Sequence, residues 1–205
     1  MSIEINLGSE IGALQTVVVH TPGQEMENMT PATAAEVLYD DILNLPLALS
    51  EHRQLKGVLG QVATVVELHD LLVEVMGRER VRRGLIEELT QLFGCPEVFS
   101  GLVEMEPETL ARQLVQGTPK KPDSLEKYLH PSRYAIPPLP NTFFTRDATM
   151  CVNDRVVIGS MAYRARAAEA MLLKAVFKHH PRIQSSGFYY DGTANPESEV
   201  TIEGG

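Results

Sequence analysis

The stretch that most restricts the fold is Leu14–His20 (LQTVVVH), an apolar, β-branched run ending at the turn signal Thr21-Pro22-Gly23. Such a run predicts a buried strand. Thr30-Pro31 then has the form of an N-cap followed by proline at the first helical position, opening a short helix toward Leu38. From Pro46 to Val62, Leu55, Leu59 and Val62 recur at helical spacing, and Thr64–Leu68 (TVVEL) follows as a second strand. Strand, helix and strand in succession indicate an α/β domain.

Beyond His69 the pattern becomes helical only. Val81, Leu85, Leu89 and Leu92 mark one helical face, closed by Gly94 and Pro96. Pro107 opens another helix, with Leu110 and Leu114 on one face and Gly117 past its end, and Thr118–Asp123 (TPKKPD) reads as a loop. Pro137, Pro138 and Pro140 make a stiff, extended approach to NTFFTRD, read as an aromatic strand ending in an acid. A hairpin is expected next, Ala148–Val152 and Arg155–Gly159 around Asn153-Asp154, then an alanine-rich helix from Arg164 to Lys178. The organisation predicted is a first α/β portion (1–68), a helical insertion (69–130) and a second α/β portion (131–205). The last runs through short extended pieces to Ile202-Glu203-Gly204-Gly205, an ending that looks cut and would leave open sheet edges. Such edges make association with another copy an expectation.

Composition narrows the partners. With 43% hydrophobic and 22% charged residues the chain can bury a core, and its formal net charge of −9 disfavours nucleic acid and anionic membranes while favouring small cations. There is no apolar run of roughly 20 residues to span a bilayer and no secretory pattern at the start, so a cytoplasmic, reducing compartment is expected. Cys95 and Cys151 form no disulfide framework and no C-x-x-C pair, and both read as packing cysteines. The six histidines give no metal pattern: His179 and His180 are adjacent and diverge on a helix, unlike an i, i+4 zinc pair.

The segment Pro140–Asp147 (PNTFFTRD) carries the most chemistry. A buried Asp147 costs several kcal/mol unless a cation satisfies it, and a guanidinium fork matches two carboxylate oxygens. The residues alone leave two readings open. Either Arg146 or another arginine of the chain ties Asp147 in place, or Asp147 binds a cationic ligand.

Several blocks, in order, resemble the arginine deiminases of the guanidine-modifying (pentein) superfamily. They are GALQTVVVHTPG, NMTPATAAEVLYDDI, SEHRQLKGVLGQVATVVELHDLL, PLPNTFFTRD, MAYRARAAEAMLLKAVFKHHP and TIEGG. The resemblance implies a part of a pentein-type α/β propeller, about two ββαβ units with an inserted helical subdomain. It also implies hydrolysis of L-arginine to L-citrulline and ammonia with no cofactor and no metal. Carried over by motif, Asp147 binds the substrate guanidinium, Asn141 and Arg166 hold its carboxylate, and Glu203 supports the catalytic histidine. RARAAEA departs from the usual block, which leaves Arg164 as the alternative to Arg166; Ala148 stands where proline is usual. Asp40 and Asp41 resemble a family F-D-D segment or are a plain acidic loop.

Such chemistry needs a thiolate nucleophile and a histidine–carboxylate system. In the family these lie in H-x-D after E-G-G and near the carboxyl terminus, beyond Gly205, so the chain is expected to be an amino-terminal half, inactive alone. Two other activities share the acid set, amidinotransferase and arginine dihydrolase. A third reading is a non-catalytic module that binds arginine or a partner chain.

Overall fold

The computed structural model describes residues 2–28, 39, 43–120, 133–194 and 200–204. The helix expected at Thr30–Leu38, the pair Asp40 and Asp41, and most of the expected loop after Pro119 lie outside them.

Strand β1 (Ile3–Glu4) precedes β2 (Thr16–Val19), the core of the valine run. A single turn, α1 (Gln24–Glu27), and the long α2 (Leu45–Val62) lead to β3 (Thr64–Glu67). The side chain of Asn44 caps α2 by accepting from Leu47 N at 3.0 Å, with Pro46 in the first turn, where the missing N–H costs nothing. β2 and β3 pair in parallel, Thr16 opposite Thr64 and Val19 opposite Glu67. The strand–helix–strand reading therefore holds. The spacing of Leu55, Leu59 and Val62 marks the helix, but α2 has no buried residue, and Leu55 and Val62 point to solvent. Lys56 reaches Glu67 and Thr21 at the ends of the strands, so its side of the helix faces them.

The helical stretch contains more pieces than expected. α3 (Leu68–Met76) starts directly from β3 and buries Leu68, Leu71, Leu72, Val75 and Met76. α4 (Glu79–Phe93) buries Leu85, Ile86 and Leu89, and Gly94 ends it at φ 66°, a left-handed geometry that glycine adopts without strain. A 3-10 turn at Pro96–Val98 and α5 (Phe99–Val103) follow, then α6 (Pro107–Gln116) with Leu110, Ala111, Leu114 and Val115 inside. The expected loop at Thr118 starts as a short strand, β4 (Thr118–Pro119), antiparallel to β5 (Tyr134–Ile136).

The segment Asn141–Phe144 is not a strand. Pro140–Phe143 forms a 3-10 turn and α7 (Thr145–Ala148) a single helical turn. Thr142 Oγ1 donates to Leu139 O at 2.7 Å, a local bond that competes with extended structure, and proline opens the turn. The hairpin is present as β6 (Thr149–Val152) and β7 (Arg155–Ile158), with Asn153 at φ 51° in the turn. α8 (Arg164–His179) follows, then β8 (Ile183–Gln184), parallel to β1, and β9 (Phe188–Asp191), parallel to β7. β6, β7, α8 and β9 thus make one ββαβ arrangement, its three strands in the order β6-β7-β9. One contiguous core, supplied by α3 to α6, α8, β5 and β7, joins it to the helices. The result is a mixed α/β fold of helices and small sheets. Among the described residues no helix is long and apolar enough to cross a membrane.

Candidate active site

Helix α8 begins against its own dipole. Its first turn holds Arg164 and Arg166 and no acid, although the N-terminal end of a helix favours negative charge. The two arginines resolve this differently. Arg164 donates to the carbonyl of Leu92 on α4, away from Asp147. Arg166 turns inward, 4% exposed in its side chain, and gathers three carboxylates from three places in the chain.

Arg166 Nη2 donates to Asp147 Oδ2 on α7 at 3.0 Å and to Glu169 Oε2 at 3.0 Å. Its Nε donates to that same Glu169 oxygen at 3.1 Å, and Nη1 reaches Glu203 Oε2 at 3.4 Å. Glu203 also accepts from the backbone N of Ala162, just before α8, at 2.8 Å. Of the two readings left open for Asp147, the structure therefore supplies an arginine partner, Arg166; Arg146 instead meets Glu10 at the surface. The structure brings Asp147, Arg166 and Glu203 together, and it places Arg166 rather than Arg164 beside Asp147. Asn141 is buried in the 3-10 turn just upstream of α7.

The backbone around the cluster explains the glycine after Glu203. Gly204 N donates to Asp147 O at 3.0 Å, so the tail lies directly on α7. A Cβ on Gly204 would collide with the Arg146 carbonyl and approach Met150 Cγ to 2.8 Å. The bridge between Ser160 and Ile202 holds the same tail against the end of β7. These contacts fix where Glu203 projects.

Glu169 is the residue sequence reading missed. It is 2% exposed and flanked by Ala168 and Ala170, on the same face of α8 as Arg166 at i, i+3. The signal was an acid in an otherwise apolar, alanine-rich block. Burial pushes its carboxyl up to about 7; the Arg166 charge opposes this, and Asp147 and Glu203 add to it. Burial draws the Arg166 pKa down, but Glu169 and Asp147 outweigh it and hold it above its ordinary value. Tyr39, whose hydroxyl donates to Pro140 O at 3.4 Å, lies close enough to this cluster for Glu169 to help raise its pKa, behind burial itself. With all three carboxylates ionised, one guanidinium faces three negative charges. The surplus suits a further cation beside the acids.

Neither cysteine approaches the thiolate form. Burial, then Glu97, raises the Cys95 thiol, and burial raises that of Cys151. Among the described residues no group of three or more His, Cys, Asp or Glu side chains could hold a metal ion. A second polar cluster lies where β2 and β3 end. His20 Nε2 and Glu25 Oε1 are 3.1 Å apart, both buried, and Glu67 accepts from Thr21 N at 3.1 Å, Thr21 Oγ1 at 2.7 Å and Lys56. His20, Thr21, Glu25 and Glu67 line a cleft of about 370 Å³ to which Arg166 does not contribute.

A family described as arginine deiminase matches residues 35–205. An arginine deiminase of Mycobacterium tuberculosis (strain ATCC 25618 / H37Rv) is 32% identical over 221 residues, covering 100% of this chain and 54% of that protein. Those of Limosilactobacillus reuteri (strain DSM 20016) and Metamycoplasma arthritidis (strain 158L3-1) are 31% and 33% identical, over 100% and 98% of this chain and 53% and 50% of their own lengths. The chain spans about half the length of the curated relatives it matches.

Proposed function

Because this chain belongs to the arginine deiminase family, we propose that it forms the guanidinium-recognising part of a hydrolase that converts L-arginine and water to L-citrulline and ammonia. The observation that carries this is the surplus of carboxylates around Arg166: Asp147, Glu169 and Glu203 surround one cation. Asp147 takes the substrate guanidinium through a charge-assisted fork. Arg166, through the Nη1 edge, and Asn141 hold the substrate carboxylate, and Glu203 supports the histidine that moves protons. The βαβ and ββαβ arrangements are parts of a pentein-type α/β propeller.

In the full reaction a thiolate adds to the guanidinium carbon and ammonia leaves; water then adds to the S-alkylthiouronium carbon, and breaking the C–S bond releases citrulline and returns the thiolate. Neither Cys95 nor Cys151 suits that step, because burial disfavours both thiolates. The 205 residues alone therefore bind arginine without turning it over.

Calorimetric titration with L-arginine, alongside L-citrulline, tests the reading. Binding of arginine but not citrulline, weakened about tenfold or more in Asp147→Asn, is expected for loss of a charged hydrogen bond. Equal heats for the two ligands would remove guanidinium recognition. Citrulline production by the chain at an enzyme's rate would remove the claim that it is inactive alone.

A further inference from the structure

The arrangement of Arg166 raises a question that its binding role does not answer: what keeps a long side chain with several rotatable bonds in one orientation between three acids. Asp147 and Glu203 each take one contact from it and are each 28% exposed in their side chains, so both have room to move. Glu169 differs in every respect. It is buried, it sits on the same helix as Arg166, and a single oxygen receives both Nε at 3.1 Å and Nη2 at 3.0 Å. Two donors on one edge of a planar fork define its plane and its direction.

Counting donors shows the consequence. Nε–H and one Nη2 hydrogen go to Glu169, the other Nη2 hydrogen to Asp147, and one Nη1 hydrogen to Glu203. The remaining Nη1 hydrogen lies on the edge away from Glu169. We propose that Glu169 is the positioning residue of this site, clamping the Nε–Nη2 edge of Arg166 so that its Nη1 edge is presented to the ligand. The inference rests on the reading of Arg166 as a ligand-holding residue and deepens it.

The charged and titratable groups facing Glu169 are Arg166 on its own helix, Asp147 on α7, Glu203 on the tail and Tyr39. Of these, Arg166 makes the direct hydrogen bonds, so a change in the protonation of Glu169 alters the clamp directly.

The test is side-chain NMR of the ¹⁵N-arginine-labelled 205-residue chain, with the Arg166 Nε–H signal assigned by Arg166→Lys. In the wild type that signal should exchange slowly with water and move between pH 6 and 8. In Glu169→Gln, which keeps the shape and an acceptor oxygen, the signal should persist but lose its pH response. In Glu169→Ala it should exchange at least tenfold faster, and unlabelled L-arginine should bind roughly tenfold to a hundredfold more weakly. Circular dichroism checks that the variants fold, and the glutamine variant covers the case in which alanine does not. An Arg166 signal unchanged in shift, exchange and pH response in folded Glu169→Gln overturns the proposal. If the signal responds as expected while the wild type binds no arginine, the clamp stands and the arginine-binding reading falls.

Discussion

Two polar clusters sit at the ends of secondary structure in this molecule, and they solve charge burial in opposite ways. In the cluster at the ends of β2 and β3, each acid has its own donors: Glu25 has His20 and the N of Gly23, and Glu67 has Lys56 and both polar atoms of Thr21. In the cluster at the start of α8, three acids share Arg166. The first arrangement is what a fold needs to tie a helix to a sheet. The second leaves more negative than positive charge, an imbalance that a bound cation would relieve.

The largest effect should come from removing the shared cation. Arg166→Met keeps much of the volume but leaves Asp147, Glu169 and Glu203 facing one another. A loss of about 3–5 kcal/mol is expected, as for a buried pair deprived of one partner. Urea denaturation measures it. The loss should be greater at pH 8 than at pH 6, because Glu169 relieves part of the repulsion by taking a proton. An unchanged urea midpoint would show that the three acids do not depend on Arg166.

The clusters should also tilt in opposite directions with pH. The folded pKa of Glu169 is raised from 4.5 to about 7, so the fold prefers its protonated form. Its contribution is complete below about pH 4.5 and is lost as pH rises through about 7, a total of roughly 3 kcal/mol. Glu67 runs the other way. Burial raises its pKa, but Lys56 and Thr21 outweigh that and hold it below 4.5, so its contribution exists above that value and fades as pH falls. Comparing the pH dependence of the urea midpoint in wild type, Glu169→Gln and Glu67→Gln isolates each term. The glutamine at 169 should remove a fall in stability between pH 5 and 7, and parallel curves for wild type and Glu169→Gln would contradict it. At pH 7 Glu67→Gln should cost about 1 kcal/mol, because Lys56 and Glu67 are both partly open to solvent.

Much of this was readable before the fold was known, and the reasons it was not all readable are local. The strands at Thr16–Val19 and Thr64–Glu67, the hairpin around Asn153 and the helix from Arg164 carry strong periodic or turn signals. The spacing of Leu55, Leu59 and Val62 located a helix without stating which side faces the strands; Leu55 and Val62 point to solvent, while Lys56 reaches Glu67. NTFF looked like a strand from its aromatic residues, while the proline and the Thr142 side chain favoured a 3-10 turn. The motifs singled out Asp147, Arg166 and Glu203, and the structure brings their side chains together. Glu169 was not, since its importance comes from burial beside Arg166, a property that sequence spacing suggests but does not establish.

The smallest effect separates two neighbours in the same motif. Arg146 and Asp147 are adjacent, yet α7 sends one outward and the other inward. Arg146 meets Glu10 at 2.9 Å with both side chains about three-fifths exposed (59% and 61%), whereas Asp147 meets an Arg166 that is 4% exposed. An exposed pair pays side-chain entropy and is screened by salt, so its net value is small. Arg146→Ala should therefore change stability by no more than about 0.5 kcal/mol and leave arginine binding as it is. Raising the salt concentration should shrink even that difference. The backbone of Arg146 matters more than its side chain, because its carbonyl excludes any Cβ at position 204. A loss from Arg146→Ala as large as that from Arg166→Met would mean that the motif works through its arginine and not through its aspartate.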